Sequence, residues 1–470
     1  VQQQYMWNPW RTAERYPDRT AVVADEEALT FGELTGAADR LGRGLALSGL
    51  HSGAMVSTDI PPGPRFFALA LAALKYGYGL FPCDTSDLTP DQEDKLLTDM
   101  EVAVHVSASR AEHRDPALCC PVTTDGELSE LGARVPLTAP VPAVGAGYLA
   151  FSTSGTTGVP QGVPRARPRR PYRGVAVAPR YEAGTDRGPH LMASPTYHLG
   201  TLGPALYALQ AGSAVVVQRA WSPAGFAGLI DRHAADSAML SPDLLLAVVE
   251  AGHAPAHRLR ALFHGGSACP PAVKRAAIAL LGPVLHEYYG TSRSTLTEIT
   301  TPEWLAHPGS VGRPLAGIRV EIRQGERALP PGETGEICVR LREIDRRADD
   351  PPLLRTGDLG FMDRDGYLFV VGRDSAEHPV GAARLEYEVR LLPAVTDVAV
   401  LGGGPLVCLV ETRGGRLAAP GLEAEVRRAA EALGLPAPRV EVAATGTLPR
   451  TPSGKLRRTS PTGDAAAACP

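Results

Sequence analysis

The sequence predicts an α/β fold in two parts: a large N-terminal region of several subdomains, residues 1–373, with β-sheets sandwiched by helices, and a small α+β region over residues 374–470. Three observations carry this. Short β-branched runs such as Ala214 to Gln218 (AVVVQ) alternate with helical patterns such as Pro271 to Gly282 (PAVKRAAIALLG), the order expected of largely parallel sheets with helical crossovers. From Ile318 to Arg373 the pattern turns β-rich, in IRVEIR, GEICVR and GYLFVVGR with turn signals between them. After Arg373 a compact stretch reads as two strands, VAVLG and PLVCLVE, then the helix GLEAEVRRAAEALG closed by Pro436, then the strand RVEVAA. A chain of 470 residues exceeds what one hydrophobic core usually serves, which also argues for more than one folding unit.

Within the first region, a strand around Ala21 to Val23 precedes a helix whose start is marked by Thr30 and Glu33 at capping-box spacing. Phe31, Leu34, Ala37, Leu41 and Leu45 give it an apolar stripe, and Gly49 supplies the stop. The most apolar segment, FFALALAALKYGYGLF from Phe66, is broken by Lys75 and too short to span a bilayer; it predicts a buried helix running into a strand. No internal repeat is present, and the tail GDAAAACP is low in complexity.

Composition excludes several classes. With 47 basic and 51 acidic residues the net charge is -4, which argues against a general nucleic-acid or membrane-surface binder. Basic residues do cluster from Arg165 to Arg173, read as a solvated loop face, with a site for an anionic partner as the other reading. Seven cysteines, scattered except for Cys119 and Cys120 and without CxxC spacing, fit free thiols in a reducing cytoplasm. The opening VQQQYMWNPW lacks the basic flank and apolar core of a signal peptide.

The chemistry concentrates in five stretches. In STSGTTG (Ser152 to Gly158), hydroxyl groups and glycines let backbone amides converge on an anion without Cβ atoms in the way. The GxxxxGK[ST] pattern is absent, so a P-loop NTPase is disfavoured. The others are HGGSACP (His264 to Pro270), EYYGTSRS (Glu287 to Ser294), LLRTGDLGFMDRDGYLFVVGR (Leu353 to Arg373) and LPRTPSGKLRR (Leu448 to Arg458). In this order, from about Tyr16 to Arg458, the chain resembles the adenylate-forming superfamily of acyl-CoA synthetases, peptide-synthetase adenylation domains and luciferases. The resemblance implies a large N-terminal domain carrying the ATP and acyl pockets and a small C-terminal domain that rotates on a hinge.

It also implies residue roles. Thr153, Ser154, Gly155, Thr156, Thr157 and Gly158 would hold the β- and γ-phosphates of ATP. Gly265, Gly266, Ser267 and the segment Tyr288, Tyr289, Gly290, Thr291 would line the adenine and acyl sites. Asp358 and Arg373 suit the ribose hydroxyls, since a carboxylate accepts two hydrogen bonds from a vicinal diol. DRDG at Asp363 to Gly366 is read as a hairpin turn. Lys455, in the PSGK turn, would align the carboxylate with the α-phosphorus and offset the accumulating charge. His198 and Gly200, in SPTYHLGTLG, stand at the mouth of the acyl pocket, with His198 gating entry. No Asp lies among Tyr197 to Thr201 to pair with an α-ammonium group, which disfavours an ordinary amino acid and leaves an aryl or aliphatic acid.

Three departures bear on the reaction. Gln161 stands where the family's phosphate loop carries lysine, and Arg293 where a glutamate helps to hold Mg²⁺, with Glu298 five residues further on. The two changes suggest that Arg293 supplies the cation missing at Gln161, and they put the Mg²⁺ ligands in doubt. The run DSAEHPVGAARLEYE keeps one glycine, Gly381, of the pair expected to line a thiol tunnel, so Pro379 and Ala382 would stiffen that loop and adenylation is better supported than thioester formation. The expected activity is ATP-dependent ligation of a small-molecule acid through acyl-AMP, with CoA, a carrier-protein thiol or an amine as acceptor. Two alternatives stay open: a diazotase-like relative using nitrite and an aryl amine, and a non-catalytic nucleotide-binding member.

Overall fold

The computed structural model describes residues 6–83, 88–108, 120–136, 146–152, 162–163, 172–176, 181–193, 198–291, 294–341, 352–373, 380–401, 405–412, 421–448, 450 and 456. They form two compact units: one built from residues up to 152, 162–240 and 253–263, the other from residues 241–252 and 264 onward.

The first unit is α/β. Its five-stranded sheet runs in the order Val122–Thr124, Val102–Ser107, Met55–Thr58, Gly79–Pro82 and Tyr148–Leu149, with every neighbouring pair parallel. A second sheet contains Ser237–Leu240, His190–Met192, Val215–Val217 and Thr20–Ala24, all parallel, with Glu27–Thr30 antiparallel at the edge. The helices Phe31–Leu47 and Pro64–Tyr76 share one core with strands of both sheets, among them Val22, Val56, Leu80 and Val215. The capping box predicted at Thr30 is present: the Glu33 amide donates to Thr30 Oγ1 at 3.2 Å and the Thr30 amide to Glu33 Oε2 at 2.9 Å. The apolar run from Phe66 is a helix through Tyr76, followed by the buried strand Gly79–Pro82. No helix among the described residues is long and apolar enough to cross a membrane.

The second unit carries an antiparallel sheet in the order Arg327–Ala328, Ile318–Gln324, Gly335–Leu341, Leu354–Met362 and Leu368–Arg373. Its inner face (Ile322, Ile337, Val339, Leu368) packs with Leu296 of the hairpin Leu285–Gly290 and Thr295–Thr300. A three-stranded sheet, Val395–Leu401, Val407–Thr412 and Arg439–Ala444, shares a core with the helices Val380–Arg390 and Leu422–Ala432. One element differs from expectation. The run containing Gly381 and Ala382, expected to be a loop, is helical from Val380, because Ala382, Leu385 and Val389 form a buried stripe against that sheet.

Candidate functional site

The hairpin turn predicted at DRDG is built by Asp363. Its Oδ1 accepts the amides of Asp365 and Tyr367 at 2.9 and 2.8 Å, and its Oδ2 lies 3.1 Å from His307 Nδ1. This hairpin pairs Leu354–Met362 with Leu368–Arg373 and sets Asp358 opposite Arg373.

Arg373 Nε donates to Asp358 Oδ1 at 2.9 Å. The other carboxylate oxygen, Oδ2, accepts the Tyr289 hydroxyl at 2.7 Å, from a segment 69 residues earlier. Thr356 fixes the backbone beneath: its hydroxyl donates to the Ile337 carbonyl at 2.8 Å and accepts the Asp358 amide at 3.1 Å. Burial, the Asp358 charge and the hydrogen bond to it push the Tyr289 phenol well above its usual range, so it stays protonated and donates. Arg373 is 64% exposed and Asp358 15%, so among the described residues the pair reaches the surface on its arginine side.

HGGS follows the strand Ala261–Gly265. A Cβ at Gly265 would stand 2.5 Å from the Tyr288 carbonyl oxygen and 2.9 Å from its ring, so only glycine lets the two segments approach this closely. Gly266 follows with φ +89 and no described atom within 4 Å of where a Cβ would stand, and Ser267 is half-buried. At Gly290 a Cβ would meet the Ser294 carbonyl oxygen at 2.6 Å, and the Thr291 amide donates to that same oxygen at 2.9 Å, closing a tight hairpin tip. Tyr288, half-buried, has its hydroxyl pushed up by loss of water around it. Glu298 lies opposite Tyr288 in this hairpin, its Oε1 3.5 Å from His286 Nδ1, on the strand rather than at the tip.

Of the remaining predicted residues, Thr153 to Gly158, Gln161, Arg293 and Lys455 lie outside the described residues. The phosphate stretch is flanked by an antiparallel pair, Ser152 opposite Gly162 and Phe151 opposite Val163. Around Lys455, Arg450 and Leu456 form an antiparallel bridge. In the first unit, His198 is the N-cap of the helix Leu199–Ala211 and gives it no side-chain hydrogen bond; Gly200 lies in the first turn.

The sequence reading missed the layer beneath the site. Lys274 Nζ bonds Glu287 Oε2 at 2.6 Å with both side chains buried, and the ammonium lies 4.8 Å from the Trp304 ring centroid. A lysine on the buried stripe of a helix is the signal that was available, but its partner stands 13 residues away. Among the described residues, the group of three potential metal donors is His307, Asp363 and Asp365, which the turn already uses.

The glycine approach at Gly265 and the Tyr289, Asp358 and Arg373 cluster fit a nucleotide: a flat base beside backbone and a vicinal diol at a carboxylate. The described residues offer Mg²⁺ no carboxylate set at the hairpin tip. A family model described as AMP-binding enzyme matches residues 9–344. Sulfoacetate–CoA ligase of Cupriavidus necator is 30% identical, with 95% of each chain covered. Phosphinothricin tripeptide synthetase PhsB of Streptomyces viridochromogenes is 30% identical over 95% of this chain and 41% of its own length. Among solved structures, o-succinylbenzoate CoA synthetase from Bacillus subtilis with OSB-AMP superposes at TM-score 0.74 with 20% identity over 97% of each chain. The anthranilate CoA ligase AuaEII with anthranoyl-AMP gives 0.74 with 18% identity over 96% of each. Those two likenesses bear on the fold, and with the family match they lead to one conclusion: the chain belongs to the AMP-binding enzymes, the adenylate-forming, ATP-dependent acid ligases.

Proposed function

We propose that this chain activates a small-molecule carboxylic acid with ATP and then passes the acyl group to CoA or another nucleophile such as a carrier-protein thiol. A carboxylate oxygen attacks the α-phosphorus, the bond to the pyrophosphate oxygen breaks, and acyl-AMP forms. The observation that carries the reading is the Tyr289, Asp358 and Arg373 cluster, in which one carboxylate is held by two donors from separate motifs. Either donor can yield its place to, or share it with, a ribose hydroxyl. Gly265 leaves room for the base against the backbone of the Tyr288 segment.

Lys455 is the proposed partner of the reacting carboxylate and phosphate, delivered by residues 374–470 acting as a mobile domain on residues 1–373. Thr153 to Gly158 are the proposed phosphate grip, and Arg293 the cation that offsets Gln161. His198 is proposed to gate the acid. Mg²⁺ accompanies ATP in this reading as a neutralising ion; no residue is assigned to it. Acceptors with the best support are CoA and carrier proteins, as in relatives named for ligation to CoA and to an acyl-carrier protein.

The test is pyrophosphate release from ATP across a panel of acids, with and without CoA. Acid-dependent release is expected, and Lys455→Ala should lower it by about 10² to 10³. ATP turnover indifferent to every acid, or undiminished adenylation in Lys455→Ala, would overturn the reading.

A further inference from the structure

The sheet formed by Val395–Leu401, Val407–Thr412 and Arg439–Ala444 uses its two faces differently. On one, Val398, Val400, Cys408 and Val410 close a core with the helices Val380–Arg390 and Leu422–Ala432. On the other, Asp397 stands directly opposite Glu411, and Ala399 opposite Leu409. Asp397 and Glu411 are 8% and 0% exposed. Two carboxylates side by side and out of water destabilise a sheet unless a cation joins them. Arg450 joins them: its Nη2 lies 2.6 Å from Asp397 Oδ2 and 3.6 Å from Glu411 Oε2. Arg390, whose charge Asp397 also feels, is itself bonded to Glu386 at 2.6 Å.

The chain that follows this sheet is tied to the same face. Glu411 Oε1 accepts the Leu448 amide at 2.6 Å and the Thr447 hydroxyl at 3.3 Å. Leu448 and Leu456 are buried, and both pack with Ala399 and Leu409. Arg450 and Leu456 form an antiparallel bridge, so the entering and returning legs of residues 451–455 are closed at their root. Lys455 directly precedes Leu456. Consecutive Cα atoms are about 3.8 Å apart, so a fixed Leu456 bounds how far Lys455 can move. Arginine suits this root, because its planar fork of donors can engage two carboxylates at once where an ammonium acts as a point charge.

We propose that Arg450 is a positioning residue: clamped between Asp397 and Glu411, it fixes the root of the loop that carries Lys455 and so holds Lys455 ready for the reacting carboxylate and phosphate. The assignment rests on the role given to Lys455 above. It makes the buried pair Asp397 and Glu411 the anchor of that loop, with Arg450 acting on the reaction only through Lys455.

Pyrophosphate release from ATP is measured over an acid panel that includes benzoate, hexanoate and sulfoacetate, for the parent, Arg450→Gln, Arg450→Lys, Lys455→Ala and the double variant Arg450→Gln with Lys455→Ala. Arg450→Gln should lower kcat about 10- to 100-fold, the effect of losing hydrogen bonds between charged groups, and leave the KM for ATP within about twofold. Where Lys455 is already alanine the same change should cost less than about twofold, because nothing is left to position. Arg450→Lys, which keeps the charge, should recover part of the rate. Arg450→Gln is repeated with Asp397→Asn, where fewer buried charges are left unpaired, as a guard against loss of fold, and should behave alike. In parallel, cleavage of the full chain by a lysine-specific endoprotease is followed without substrate. Arg450→Gln should quicken the cut after Lys455 about 10- to 100-fold and leave the cut after the buried Lys274 unchanged. An unchanged kcat, a full loss on the Lys455→Ala background, or equal quickening at both lysines overturns the proposal. The expected cleavage pattern, with Lys455→Ala adenylating like the parent or with no acid supporting release, upholds the clamp and overturns the acid-activation reading instead.

Discussion

Two acid–base pairs in the second unit have nearly the same length and opposite character. Lys274 and Glu287 meet at 2.6 Å with side chains 0% and 7% exposed, under the Trp304 ring. Asp358 and Arg373 meet at 2.9 Å at the end of a hairpin, with the arginine 64% exposed and the second carboxylate oxygen given to Tyr289. The first pair is sealed and fixes the strand Leu285–Gly290 against the helix Pro271–Leu281. The second leaves its arginine at the surface. In this unit exposure separates a pair that builds the scaffold from the pair proposed to meet the nucleotide.

The largest effect should come from breaking the sealed pair. Lys274→Met leaves Glu287 buried without a counter-charge and should cost about 3–5 kcal/mol of stability, read as a fall in the denaturant midpoint. Replacing both partners, Lys274→Met with Glu287→Leu, should recover most of that loss, because no charge then remains to be desolvated. A single substitution with an unchanged midpoint would show that the pair is not sealed. By contrast Asp358→Asn should leave the midpoint within about 0.5 kcal/mol of the parent and weaken nucleotide binding instead.

A smaller, pH-dependent effect belongs to the first unit. His190 is buried with Nδ1 on Ser237 Oγ at 2.9 Å, and desolvation lowers its pKa from 6.5 to about 4. The folded protein therefore keeps His190 neutral while the unfolded chain takes up a proton below pH 6.5. Stability should fall as pH drops from 6.5 toward 4 and this contribution should level off below that. Tm measured across this window should show the slope, and His190→Gln should flatten it. An equal slope in the variant would assign it to other groups.

Much of this was legible in the sequence for local reasons. Capping residues at Thr30 and Glu33, the apolar run from Phe66 and the DRDG turn are short-range signals, and each formed where it was read. The motifs of the site were also found singly. Their joining was not: the hydrogen bond from Tyr289 to Asp358 depends on the register that sets Asp358 opposite Arg373, and no local pattern states a register. The helix Val380–Arg390 was passed over because a glycine and a preceding proline suggested a loop, while its buried stripe and the Glu386 to Arg390 pair, 2.6 Å apart at i,i+4, argued for a helix.

The most direct test of the nucleotide assignment is calorimetric titration of AMP into the parent protein and Asp358→Asn, with Tm recorded for both. The structure predicts AMP binding by the parent and a loss of about 10- to 100-fold in the variant at unchanged Tm, the effect of weakening hydrogen bonds made by a charged group. Equal AMP affinity in the two proteins would contradict it.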